Sequence, residues 1–198
     1  MKNKWRAAFT IVELMVVVAV IGVLMTIVTT ASIHAIRASR EQRRDAMRTA
    51  LQASIATYQA SNSEGDWPGP LKNAAENGRT VVLSEEQAQT VFRIVVQKST
   101  GESGAPLPLI DPHALFVAPS GAVDGKSAGM PYDDARQGDA HNRRKIPVSQ
   151  MVFGYQLKDT GKFHRFNIIY HGETDSVEVS AEDYRNIDLR YGTKKSEG

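Results

Sequence analysis

Apolar residues follow three different patterns along this chain. The first is a block. From Phe9 to Val28, 20 residues carry a single charge, Glu13. A helix needs about 20 apolar residues to cross a bilayer, so the block predicts a membrane-spanning segment. The second pattern is helical. Apolar residues recur at Ile33, Ile36, Met47, Ala50, Leu51, Ile55 and Tyr58, and Met47, Leu51, Ile55 and Tyr58 fall on one helical face. No proline precedes Pro68, and Gly22 is the only glycine between Phe9 and Ser63. Together these predict one helix over 9–60, about 52 residues and roughly 78 Å long at 1.5 Å per residue. Its first half suits an apolar medium and its second half the back of a folded domain. The third pattern is β. Met151–Leu157, Phe163–His171 and Ser176–Ser180 are rich in strand formers, and polar turns at 159–162 and 172–175 separate them. They predict an antiparallel meander whose apolar face packs on the Met47–Tyr58 face.

The middle of the chain mixes signals. Ser61 to Pro70 reads as a loop that ends the spine. Thr80–Leu83 reads as a short strand. Ser84 followed by Gln87 forms a capping box, and Ala88, Val91, Phe92, Val95 and Val96 predict an amphipathic helix of about 13 residues, ending near Lys98. Residues 99–150 are rich in loop formers. The polar stretch from Gly121 to Arg144 is expected to be a mobile insertion, and the tail after Arg190 to be disordered. The expected fold class is α+β, a long N-terminal helical spine packed on a small antiparallel sheet. The boundaries fall at 9–32 for the apolar half of the spine, 33–62 for the amphipathic half and 63–198 for the globular domain.

Charge changes the picture at the N-terminus. The chain has 198 residues and net charge +2, with a pI near 8.8. Lys2, Lys4 and Arg6 precede the apolar block, and without residues 1–8 the remainder carries −1. The basic pI therefore gives no reason to expect nucleic acid as a partner. Those three cations place the N-terminus in the cytoplasm and send the rest across the membrane. Arg37, Arg40, Arg43, Arg44 and Arg48, with Glu41 and Asp45, read as a salt-bridged solvated face; contact with anionic headgroups or with acidic residues of a neighbour is the other reading. The chain has no cysteine, which excludes a disulfide framework, a thiolate metal site and a cysteine nucleophile.

Three readings of the first 30 residues compete. A cleaved signal peptide would use Thr29-Thr30-Ala31, but its apolar core should be 7–15 residues. A plain signal anchor explains the length and the flanks but not Glu13, a carboxylate that costs up to ~3 kcal/mol in a membrane helix. The third reading is a resemblance. Ala8-Phe9-Thr10-Ile11-Val12-Glu13-Leu14-Met15-Val16-Val17-Val18-Ala19-Val20-Ile21-Gly22-Val23-Leu24 resembles the signature of type IV pilins and pseudopilins. The resemblance implies that residues 1–8 are a leader, cut between Ala8 and Phe9 by a prepilin peptidase, and that the new amine of Phe9 is methylated. It also implies that Glu13 sets filament register by pairing with the Phe9 amine of a neighbour. Ala8 stands where the family usually has glycine. The order Tyr58, Gly65, Trp67, Pro68 is similar to the helix exit of the type II secretion major pseudopilins. Asp111-Pro112 before Leu115, Phe116 and Val117 is similar to the element that leads into their sheet.

The resemblance implies a structural protomer and not an enzyme. Such a subunit sits in the inner membrane by one span, with its C-terminal domain in the periplasm. It assembles with other pilin-like subunits into a filament, served by an inner-membrane platform and its ATPase. A type II secretion pseudopilus, helping to push exoproteins outward, is the first reading; a type IV pilus for adhesion, motility or DNA uptake is the second, and a membrane-anchored extracytoplasmic enzyme or binding protein the third. No cofactor is expected apart from calcium, which major pseudopilins hold near their C-terminal strands. Glu173 and Asp175 occupy the equivalent region, and a polar hairpin turn is the alternative reading of the same residues. Gly121 to Ser127 imitates a phosphate-binding loop, but its spacing fails by one residue. His34, His113, His141, His164 and His171 show no metal-ligand spacing, and Asp133-Asp134 and Glu182-Asp183 are ordinary surface pairs.

Overall fold

The computed structural model describes residues 11–62, 65–101, 110–138 and 145–191. The chain divides into two compact units, Met1–Ser39 and Arg40–Gly198. Helix α1 runs from Ile11 to Ser61 without interruption, 51 residues in all, as the periodicity predicts.

In the first unit, every described side chain from Ile11 to Ser39 is exposed. Thr26, Thr29, Thr30 and Ser32 each donate their hydroxyl to the carbonyl four residues earlier, at 2.8–2.9 Å. Their polar groups are thereby satisfied inside the helix, as an apolar medium requires. Among the described residues, α1 is the one helix long and apolar enough to cross a membrane.

The second unit is α+β. After α1 come α2 (Pro70–Asn77), β1 (Val81–Val82) and α3 (Glu85–Thr100). Then follow β2 (Phe116–Pro119), β3 (Met130–Pro131), α4 (Tyr132–Gln137), β4 (Met151–Gln156), β5 (Phe163–Arg165), β6 (Asn167–His171), β7 (Ser176–Ser180) and α5 (Tyr184–Tyr191). Two antiparallel sheets form, of order β3-β2-β4-β5 and β1-β6-β7. Met47, Leu51 and Ile55 of α1 join one core with Val91, Phe92 and Val95 of α3, Phe153 of β4 and Ile168 of β6. The expected packing of the spine face on the sheets is therefore observed, within a core that α3 shares. The capping box of α3 forms as predicted. The Ser84 hydroxyl accepts from Gln87 N–H at 3.3 Å, and the Gln87 side chain accepts from Ser84 N–H at 3.0 Å.

Three expectations need correction. The run Phe163–His171 is two strands, so there is no single meander: β5 pairs with β4, and β6 pairs with β7 and β1. The break falls at Phe166, whose ring is fully buried and whose N–H bonds the Phe153 carbonyl at 3.3 Å. The polar stretch after Gly121 is ordered as far as Gly138. Ala122, Tyr132 and Ala135 are buried there, and Gly125 N–H bonds the Phe163 carbonyl at 2.8 Å. Those few apolar side chains anchor what composition marks as loop; 139–144 lie outside the described residues. Finally, α5 reaches Tyr191 with Ile187 fully buried, so ordered structure takes in the first residue of the predicted tail. Residues 192–198 lie outside the description.

Candidate functional site

Helix α1 carries the chemistry the sequence singles out. Glu13 lies in its first turn, where a carboxylate is favoured by the helix dipole. It is exposed and set among Ile11, Val12, Leu14, Met15 and Val16, all at least 57% exposed. Exposed apolar side chains continue through Val28. A continuous patch of this size on a soluble monomer marks an interaction or membrane surface. Ala8 and Phe9, the expected cleavage and methylation residues, lie outside the described residues.

The basic stretch after Ser39 resolves into distinct roles. The Arg44 guanidinium lies 2.9 Å from Asp45 and 3.7 Å from Glu41, the salt-bridged face the sequence predicts. Its hydrogen bond to Asp45 holds that carboxyl below the usual carboxylate range. Arg40 does something the sequence does not announce. It donates to the Lys158 carbonyl at 3.1 Å, in the turn between β4 and β5. Its guanidinium also lies against Gly161, where φ is +67° and a Cβ would come within 2.7 Å of it. Arg40 and Arg43 line one end of a groove of about 550 Å³ whose walls include Met47, Ala50, Leu115, Phe116 and Pro131.

The expected calcium donors sit in the turn between β6 and β7. Asp175 has φ +45°, a left-handed conformation that Asp tolerates better than most residues. Its Oδ1 accepts from Trp67 Nε1 at 3.1 Å and from the Tyr170 hydroxyl at 2.7 Å. The Trp67 and Tyr170 rings meet edge to face at 6.0 Å. Burial, with the bond to Asp175 adding to it, pushes the Tyr170 phenol up to about 12. Asp175 thus ties the helix-exit loop to the β6–β7 turn. Glu173 is exposed in the same turn. Among the described residues no three His, Asp or Glu side chains come together as a metal site. Of the described histidines, His164 lies 3.4 Å from Asp124 and His171 lies 3.2 Å from Glu178.

One buried residue escaped the sequence reading. Gln89, on the apolar face of α3, is 3% exposed. Its Oε1 accepts from Phe153 N–H at 2.6 Å, and its Nε2 donates to the carbonyls of Phe153 and Phe166 at 3.1 and 3.4 Å. It supplies the hydrogen bonds that the two sheets forgo where they part. The signal was there: a polar residue inside the Ala88–Val96 apolar face.

The fold is α+β, with a long N-terminal apolar helix and two small antiparallel sheets, and the described apolar stretch is long enough to cross a membrane. Residues 6–29 match the family model for the prokaryotic N-terminal methylation motif. The match spans Ala8, Phe9 and Glu13 and supports a type IV pilin-like N-terminus. No curated protein matches the chain, and no solved structure matches it.

Proposed function

We propose that this chain is a structural, non-enzymatic protomer of a type IV pilus-like filament, most closely a pseudopilus subunit of type II secretion. The observation that carries the reading is the methylation motif over residues 6–29, set on a helix whose apolar residues are exposed and carry one early carboxylate. Such a helix has two stable settings, a bilayer or a bundle of its own kind. In the first, the subunit waits in the inner membrane with its folded unit in the periplasm. In the second, apolar helices of neighbouring subunits cover one another. Charge then selects register. The amine exposed on Phe9 by cleavage after Ala8 meets the Glu13 carboxylate of a neighbour, and opposite charges attract far more strongly in that low-dielectric core than in water. Pairing also removes the cost of two isolated buried charges.

The secretion assignment draws support from the helix exit. The order Tyr58, Gly65, Trp67, Pro68 is similar to that element of the major pseudopilins, and Trp67 is buried there against Tyr170 and Asp175. The absence of cysteine also favours it over a pilin that closes its C-terminal loop with a disulfide.

Mass spectrometry of the N-terminal peptide from native membranes tests the reading. Phe9 should be the first residue and should carry a methyl group. A mature chain that still begins at Met1, or one cut near Ala31, overturns it.

A further inference from the structure

The second unit carries opposite charge at the two ends of the part of α1 that it packs. At the Arg40 end, Arg40, Arg43, Lys158 and Lys162 gather with Glu41 and Asp159. The Arg40–Lys158 bond and the 3.8 Å Lys158–Glu41 approach hold this group together. That is four cations to two carboxylates, and Arg43, Lys158 and Lys162 are exposed. At the other end, Asp66, Lys72, Glu76 and Asp175 line a polar hollow of about 470 Å³ together with Gln59 and Gly78. Glu173 and Arg79 adjoin that lining in the chain. There the balance is reversed, four carboxylates to two cations, and one of those cations, Lys72, is 2.5 Å from Asp66. Gly172 brings the two parts of this end together, since a Cβ on it would lie 2.3 Å from the Gly78 carbonyl.

Arg40 and Gln59 are nineteen residues apart on one helix, which is about 28 Å. The Debye length at physiological ionic strength is about 8 Å. Within one molecule the two ends therefore barely sense each other, and each faces solvent as a separate patch. A two-fold dimer that used either patch would set like charge against like, because an isologous contact pairs a surface with itself. A head-to-tail contact sets unlike charge together, and such a heterologous contact repeats without closing.

We propose that the basic Arg40/Arg43/Lys158/Lys162 end of one copy docks on the acidic Asp66/Glu76/Glu173/Asp175 end of a second copy. This contact gives the folded units a parallel, open-ended order. It deepens the filament reading and rests on it. It adds to the helix bundle a second, salt-sensitive bond between folded units, and it selects against antiparallel and closed pairs.

Charge reversal in the full-length chain tests it, with sheared filaments quantified beside the membrane-held subunit. Arg43→Glu with Lys162→Glu should lower the assembled fraction at least about tenfold, and so should Glu76→Lys with Glu173→Lys, since like-charge juxtaposition is strongly penalised at interfaces. Carrying both reversals in one chain should restore assembly. Limited proteolysis of the detergent-solubilised variants should match wild type. If wild type assembles and single-end reversals assemble equally well, the end-to-end contact is wrong and the filament reading stands. Loss at either end without rescue by the double reversal, in variants with wild-type proteolysis, also overturns the contact. A wild-type chain that forms no filament in a complete secretion system overturns both.

Discussion

From Ile11 to Ser39 every described side chain of α1 is exposed, although most of the early ones are aliphatic. From Arg40 to Ser61 the same helix buries Met47, Leu51, Ser54 and Ile55. Both stretches have helical backbone, although the first is rich in β-branched residues that favour it less than those of the second do. They differ in where their apolar surface is satisfied. The second stretch finds its partners within the chain, in α3, β4 and β6. Among the described residues the first finds none in its own unit, and on the proposed reading it takes them from lipid or from other copies. One helix thus belongs to two systems, one folding alone and one needing company, and a substitution should injure one system without the other.

The largest expected effect is on the dependent half. Glu13→Val removes a carboxylate that is costly in lipid, so insertion and leader removal should proceed at least as well. Filament yield should fall to background, because the Phe9 amine loses its partner. Normal assembly of processed Glu13→Val subunits would remove the proposed register. Next comes the self-sufficient half. Ile55→Ala, at a fully buried site, should cost about 2–5 kcal/mol, at roughly 2–4 °C of Tm per kcal/mol for a unit of this size. A chain lacking residues 1–33 should remain soluble and folded, and should show the same loss in Tm. If that truncated chain is unfolded, the division of labour along α1 is wrong.

Gln89→Leu should come third. It keeps the volume but leaves Phe153 N–H without its 2.6 Å partner, a loss of about 1–3 kcal/mol, readable by chemical denaturation. The smallest effect appears only in alkali. Burial is the first cause that raises the Tyr155 and Tyr170 phenols to about 12 from an ordinary 10. The unfolded chain therefore releases these protons at a lower pH than the folded one. Their contribution is fully present below pH 10 and is lost as pH rises from 10 to 12. Tyr155→Phe and Tyr170→Phe should each flatten that fall in stability.

The exposed half was almost wholly legible in the sequence, because a block of aliphatic residues with one carboxylate needs no tertiary context to interpret. The capping box at Ser84 was legible for the same reason: its two hydrogen bonds join residues three apart. The failures are non-local. Nothing in the sequence around Phe166 says that β5 and β6 join different sheets; the reason lies in Gln89 and Phe153, far away in the chain. Helix α2, with Pro70 at its start and Leu71 and Ala74 buried, hides in a stretch too short to show a period. The same holds for α4, where Tyr132 and Ala135 are its only buried residues. In the Asp175 turn the carboxylate was visible and its protein partners were not: its Oδ1 accepts from an indole N–H and a phenol far apart in the chain.

The Gln89 bridge also has a consequence in time. Its bonds to Phe153 and Phe166 span 64 and 77 residues of chain, and contacts of such separation form late, after the loop entropy between them has been surrendered. Until α3 docks, the Phe153 amide lacks its Gln89 partner, a local gap in a strand otherwise paired on both sides by β2 and β5. The folding chain therefore passes through an interval in which that amide is unpaired. Docking of one helix ends that interval, so mutations that slow α3 formation should lengthen it.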